Sequence, residues 1–200
     1  SPDGWTREYR LSVSLVDAPF WIRNANVLQK LLCFLTTDRW QLQFLEGGSL
    51  PRPVVNPVAP EEDCIVLLSG GLDSLIGAID IDSVGKQVFA VSQLVRGDAE
   101  KQRLFAQRIG GGLRHIQLNH NAVIPAQEYP PSQRARSLIF LAYGVLIASS
   151  LARYHSGEEI PLYVCENGFI SINPPLTGTR IGSLSTRTTH PVVLSLMQQL

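Results

Sequence analysis

Apolar and polar positions along this chain follow two periods. Alternation over residues 9–16 and again over 40–45 predicts two half-buried strands, and an apolar stripe across 26–35 predicts a helix between them. Residues 64–68, Cys-Ile-Val-Leu-Leu, are continuously apolar over a length that suits a strand covered on both faces. Over 72–80 the apolar residues Leu72, Leu75, Ile76 and Ile79 return at helical spacing. Further strands are expected at 87–91, 113–118 and 162–165, with helices at 98–109 and 134–154. Strands alternating with helices imply an α/β fold with a doubly wound parallel sheet.

Between these two patterned regions, residues 47–63 collect Gly47, Gly48, Pro51, Pro53, Pro57 and Pro60, a density that suits an extended linker. The boundary is therefore expected near residue 60, with a small α+β extension of strand-helix-strand and a linker over 1–60 and the main domain over 61–200. Trp5, Trp21 and Trp40 all precede it and read as core or interface aromatics. Residues 166–191 lack regular periodicity, and a loop of that length inside a domain is more often functional than inert.

Composition narrows the class. Apolar residues make up 44% of the 200 residues and charged ones 17%, which excludes a disordered chain. Lys+Arg and Asp+Glu both number 17, so net charge offers no general affinity for nucleic acid or membrane, and no apolar run approaches a bilayer span. The three cysteines, Cys33, Cys64 and Cys165, include no CxxC pair and make neither a disulfide framework nor a complete zinc site; a reducing cytoplasm is the expected compartment. The chain starts at Ser1 without Met and stops at Leu200 within a helical pattern, so a fragment truncated at its C-terminus is expected.

The stretch Ser69-Gly70-Gly71-Leu72-Asp73-Ser74 lies between the apolar strand and its helix. Two glycines permit backbone dihedrals closed to other residues and leave the amides bare. Those amides, the hydroxyls of Ser69 and Ser74, and the positive end of the helix suit a phosphate or pyrophosphate. Neither a Walker A ending nor GxGxxG is present. In an open α/β sheet ligands bind beyond the carboxyl ends of the strands. The segments expected there are 69–74, 92–98 with Ser92, 119–136 and 166–190.

Arg134 and Arg136 stand at the predicted start of a helix, where cations oppose the dipole unless an anion is near. Glu166-Asn167-Gly168 ends the fourth strand, and a carboxylate beside an amide suits a heterocyclic base or an amine. Asn173 to Thr177 and Thr186, Arg187 and His190 add hydroxyls, a cation and an imidazole, which together resemble a lid. His115 and His120 read as surface or capping residues.

Ser-Gly-Gly-Leu-Asp-Ser resembles the motif of the PP-loop ATP pyrophosphatases, the adenine nucleotide α-hydrolase-like group. Within it, Arg136-Ser137-Leu138-Ile139-Phe140-Leu141 and Val164-Cys165-Glu166 look like QueC, the 7-cyano-7-deazaguanine synthase, whereas the N-terminal extension and the 166–191 stretch look more like QatC-type proteins of bacterial anti-phage defence. The resemblance implies a PP-loop, HUP-like fold and an ATP-dependent ligase that adenylates the carboxylate of a 7-deazaguanine, releases pyrophosphate and passes the acyl group to an amine. It implies ATP held at Ser69, Gly70, Gly71, Leu72, Asp73, Ser74 and Ser92, with Mg²⁺ held weakly at Asp73. Catalytic roles fall to Asp73, Arg136 and Glu166, and substrate contacts to Glu166, Asn167, Thr186, Arg187 and His190. Other defence proteins are expected as partners or amine acceptors, and the family's zinc cysteines would lie beyond Leu200, leaving zinc open. A housekeeping QueC, another PP-loop amide synthetase and a non-catalytic ATP-binding subunit are the alternatives.

Overall fold

A computed structural model of the chain describes residues 3–94, 97–120, 135–172, 178 and 187–200. In chain order its elements are β1 (Glu8–Ser14), α1 (Ala18–Thr36), β2 (Arg39–Leu45), β3 (Cys64–Leu67), α2 (Leu72–Ser83), β4 (Val88–Gln93), α3 (Ala99–Arg108), β5 (Arg114–Leu118), α4 (Arg136–Ala148), α5 (Ala152–His155), β6 (Leu162–Tyr163), α6 (Gly168–Ser171) and α7 (Pro191–Gln198). They divide into two compact units, Ser1–Val55 with Gly168–Leu200, and Asn56–Asn167. The division after Val55 falls within the proline-bearing stretch 47–63. Grouping of 168–200 with the first unit was not expected, and it rests on the packing of α7 against α1.

In the first unit β1 and β2 run parallel, Glu8 opposite Arg39 through to Ser14 opposite Leu45. Parallel neighbours need a crossover, and α1 supplies it. Alternation leaves Tyr9, Val13, Trp40, Leu42 and Phe44 half-buried on one face, where the Tyr9 and Trp40 rings stack with centroids 4.4 Å apart. Asp17 caps α1 by accepting from the Phe20 amide, and Thr37, at φ 62°, ends it in a left-handed conformation.

Asp38 follows that turn and is only 2% exposed. Its carboxylate accepts from Arg7 Nη2 at 2.6 Å and from Arg7 Nε and the Arg7 backbone amide, both at 3.1 Å. Burial alone would raise this carboxyl. The Arg7 side-chain and backbone hydrogen bonds, the Arg7 charge and Thr36 outweigh it and hold the group below its ordinary value near 3.8.

The second unit is built on a four-stranded sheet, order β5-β4-β3-β6, parallel throughout. Every residue of β3 and β4 is buried because helices cover both faces. On one side Cys64, Val66 and Leu68 meet Ala78 of α2 and Ala106 of α3; on the other, Ile65, Leu67 and Phe89 meet Phe140, Leu141 and Ile147 of α4.

Small residues set how closely the helices approach. A Cβ at Gly77 would overlap the Cys165 side chain, and one at Gly144 would lie 2.7 Å from Leu162 Cδ1. Because α2 sits down on Gly77, Ala78 and Ser74, the apolar residues Leu72, Ile76 and Ile79 that signal the helix lie on its exposed side. The helix expected over 134–154 is interrupted: Leu151 is fully buried with an extended backbone, and the Ala152 amide donates to Pro60 O. No helix among the described residues is long and apolar enough to cross a membrane.

The Arg7–Asp38 pair gives a test of the first unit, which holds all three tryptophans. Because the folded-state pKa of Asp38 is depressed, its stabilisation is present above the unfolded value near 3.8 and is lost as pH falls through the lower folded value. Asp38→Asn should cost roughly 3 kcal/mol in denaturant melts followed by tryptophan fluorescence and remove that acid-linked loss. Unchanged stability with an unchanged acid limb would show that the pair does not hold this unit.

Candidate functional site

All four strands of the larger sheet end at one edge, and the order of connection reverses there. From β3 the chain passes through α2 to β4 and through α3 to β5, then returns across the opposite face through α4 to β6, on the other side of β3. The β3/β6 junction is therefore a topological switch point, the position at which ligands seat in open α/β sheets. The turn 68–74 leaves β3 at this junction, and Val164 to Asn167 leave β6 beside it.

The turn is shaped by its glycines. Gly70 has φ +93°, a region that strains any residue with a Cβ, and Gly71 enters α2 in an extended conformation. No side chain caps α2, so the amides of its first turn face outward without a protein acceptor from the cap position. Ser69 and Ser74 do meet, but they close a ring with the backbone. The Gly71 amide donates to Ser69 Oγ at 3.3 Å, Ser69 Oγ donates to Ser74 Oγ at 3.0 Å, and Ser74 Oγ donates to Gly71 O at 2.9 Å. Both hydroxyl protons and the Gly71 amide are engaged inside the turn, and the Ser69 and Gly70 amides have no acceptor among the described residues.

Behind the turn lies a polar network that periodicity did not reveal. Gln102, 1% exposed, donates from Nε2 to Ser69 O and to Gln93 O, each at 3.1 Å, and its Oε1 accepts from Gln117 Nε2 at 2.9 Å. Gln117 also donates to Ala99 O and accepts from Arg103 Nε. Ser92, expected as a nucleotide contact, is fully buried and donates to Leu68 O at 2.6 Å. With its one proton committed, Ser92 Oγ accepts from His115 Nε2 at 2.8 Å, which fixes the Nε2–H tautomer of His115. Burial and then the nearby Arg103 charge lower the pKa of His115, so it is neutral near pH 7. His115 is thus an internal sheet residue rather than a surface one. No motif marked this network in the sequence: Gln93, Gln102 and Gln117 stand well apart along the chain.

Asp73 lies exposed in the first turn of α2, and Glu166 lies three residues beyond β6. Partial desolvation, and then the charge of the other predicted residue, Asp73, push the Glu166 carboxyl up from its ordinary value. Glu166 still has solvent access, so the loss of hydration is incomplete. Cys165, packed under Gly77, is raised by burial and then by Asp80 and Glu166, which keeps it a thiol at neutral pH.

Arg136 opens α4, which runs back from the carboxyl edge, and its cap residue Ala135 sits at φ 63° with no capping side chain. Asn167 is exposed after Glu166. Arg187 and His190 belong to the other unit. There Arg187 Nη1 donates to Phe34 O at 2.8 Å, with its guanidinium over the Phe34 ring, and His190 Nδ1 caps α7 by accepting from the Val192 amide. Thr186, Arg134, Asn173 to Thr177 and the segment 121–133 lie outside the described residues.

Among the described residues no three His, Cys, Asp or Glu side chains group to hold a metal, so they do not fit a zinc centre. Magnesium makes a smaller demand, one or two carboxylates with phosphate and water completing its oxygens, and Asp73, exposed in the first turn of α2, fits that donor chemistry. Comparison with protein-family models, curated proteins and solved structures found no match to this chain.

The Asp73–Glu166 coupling is open to titration. Because the folded-state pKa of Glu166 is raised above 4.5, the folded form binds its proton more tightly than the unfolded chain, and this group costs stability as pH rises through the folded value. Followed by carboxyl NMR, Glu166 should titrate above 4.5 in the wild type and move down, toward but not fully to the ordinary value, in Asp73→Asn. An identical midpoint in both proteins would show that the two carboxylates do not sense each other.

Proposed function

We propose that the Asn56–Asn167 unit is a doubly wound PP-loop domain of the QueC-like kind, an ATP-dependent ligase that cleaves ATP between its α- and β-phosphates to activate a 7-deazaguanine carboxylate. The observation that carries this reading is the placement of the uncapped Gly70–Gly71 turn at the β3/β6 switch point, with Asp73 and Glu166 together beside it. A pyrophosphate has the charge and size to take the bare amides of such a turn.

In the proposed reaction a carboxylate oxygen of the substrate attacks the α-phosphorus, the bond to the bridging oxygen of the β-phosphate breaks, and pyrophosphate leaves. The amine then attacks the acyl carbon, AMP departs, and the amine proton passes to solvent. The turn amides hold the departing pyrophosphate, Arg136 offers a cation at the same edge, and Asp73 would hold Mg²⁺, which supplies charge neutralisation at the phosphates when bound. As a carboxylate with open solvent access, Glu166 also suits the amidine edge of a guanine-like base. The raised thiol pKa of Cys165 favours amide synthesis over sulfur transfer, which needs a thiolate. A role in anti-phage defence, with a protein amine as acceptor, rests on the sequence resemblance.

The test is mass spectrometry after incubation with ATP, Mg²⁺, 7-carboxy-7-deazaguanine and ammonia or candidate protein amines. AMP, pyrophosphate and an amide product are expected; ADP, or intact ATP under every condition, would overturn the reading. Glu166→Gln should weaken deazaguanine binding at least tenfold, the effect of losing a charge-assisted contact of about 1.5–3 kcal/mol, with ATP affinity nearly unchanged. Equal weakening of both ligands would remove Glu166 from base recognition.

A further inference from the structure

Two successive peptide groups of the glycine turn are held from behind by buried side chains. Leu68 O accepts the Ser92 hydroxyl at 2.6 Å, and Ser69 O accepts the Gln102 amide at 3.1 Å. In a trans peptide the C=O and the following N–H point in opposite directions. Drawing the Leu68 carbonyl to Ser92 and the Ser69 carbonyl to α3 therefore turns the Ser69 and Gly70 N–H groups away from those partners, and neither N–H has an acceptor among the described residues. The amide orientation of Gln102 is unambiguous: Nε2 faces two carbonyl oxygens, Ser69 O and Gln93 O, and neither could accept from Oε1.

We propose that Gln102 is a positioning residue for the phosphate turn. It sets the Ser69–Gly70 peptide in its anion-binding orientation before any ligand arrives, and Gln117 and Ser92 assist, Gln117 by anchoring Gln102 Oε1 and Ser92 by fixing the preceding peptide. The inference rests on reading the turn as a pyrophosphate site. Gln102 has the attributes of such a device. It is fully hydrogen-bonded at 1% exposure, joins the ends of β3 and β4 through α3, and lies against Gly70, whose absent Cβ would stand 3.4 Å from Gln102 Cγ. A buried amide that served packing alone would be replaced at no functional cost by an apolar side chain of equal length. One that orients a peptide would not.

The experiment is calorimetric titration of the full chain with Mg²⁺-pyrophosphate at a temperature where every variant is folded. Gln102→Met is compared with Leu151→Ala, a core truncation in the cluster on the opposite face of the sheet that lowers stability without touching the turn. Gln102→Met should weaken pyrophosphate at least tenfold and shift the Gly70 amide resonance in the ligand-free protein, while Leu151→Ala stays within twofold despite its lower melting temperature. Equal affinity in Gln102→Met and wild type would overturn the positioning role. Should Gln102→Met fail to fold, Gln117→Met, which removes the anchor on Gln102 Oε1, is expected to weaken binding about threefold, and wild-type affinity there would overturn the proposal equally. A wild-type chain that binds no pyrophosphate refutes the phosphate-site reading itself, a result distinct from equal affinities.

Discussion

At the carboxyl end of β3 the backbone is tied twice in succession, Leu68 O to Ser92 and Ser69 O to Gln102, and the geometry of the sheet edge depends on those ties. A parallel strand covered on both faces has to leave the sheet through a turn, and a turn with two glycines has many conformations open to it. Buried polar side chains remove that freedom at little cost because each is fully paired; half-paired, they would leave carbonyls stripped of water, a loss of about 1–3 kcal/mol apiece. With the peptides fixed, α2 starts at a defined place, and its small residues Gly77 and Ala78 let it lie close over the strand end that carries Cys165 and Glu166. Asp73 and Glu166 come within reach of each other as a consequence of that close packing rather than of any nearness in sequence.

Much of this was legible in the chain. The order and type of the elements around β3, the glycine turn and α2 follow from a continuous apolar run, two glycines and a return to helical spacing, all of them local signals. The strand-helix-strand order of β1, α1 and β2 was equally plain, since alternation marks each strand and an apolar stripe marks the helix between them, but the parallel pairing of the two strands was not read from the sequence. Less visible was everything set by contacts far apart in sequence. The burial of Leu151 breaks a helix whose composition alone reads as continuous, because tertiary packing overrides propensity there. The exposed side of α2 carries Leu72, Ile76 and Ile79, while Ser74, Gly77 and Ala78 with Leu75 and Ile81 face the sheet, a division that the apolar spacing did not signal. The grouping of α7 with α1 depends on which surface an apolar helix meets, and apolar residues do not name their partner.

The candidate site shows the same division. Ser69 to Ser74 and Glu166 were identifiable by residue type and by their place after strands. Gln102 and His115 were not, because an amide inside a helix and an imidazole inside a strand carry no motif and gain meaning only from the carbonyl or hydroxyl they face. Ser92 was noticed for its position, and the structure gives it a different task, since a hydroxyl with its single proton donated to Leu68 O has none for a ligand. Arg187 and His190 likewise have work within their own unit, one against Phe34 and one at the start of α7.

The proposed function centres on a turn whose outward amides would take a leaving pyrophosphate, so that the α–β bond of ATP would be the one to break. Exchange of radiolabelled pyrophosphate into ATP measures that step alone and in reverse, without any amine acceptor. The wild-type chain with Mg²⁺, ATP and 7-carboxy-7-deazaguanine should carry label into ATP, and omission of the carboxylate should abolish the exchange. Nucleotide binding without carboxylate-dependent exchange, or release of orthophosphate in its place, would contradict the account.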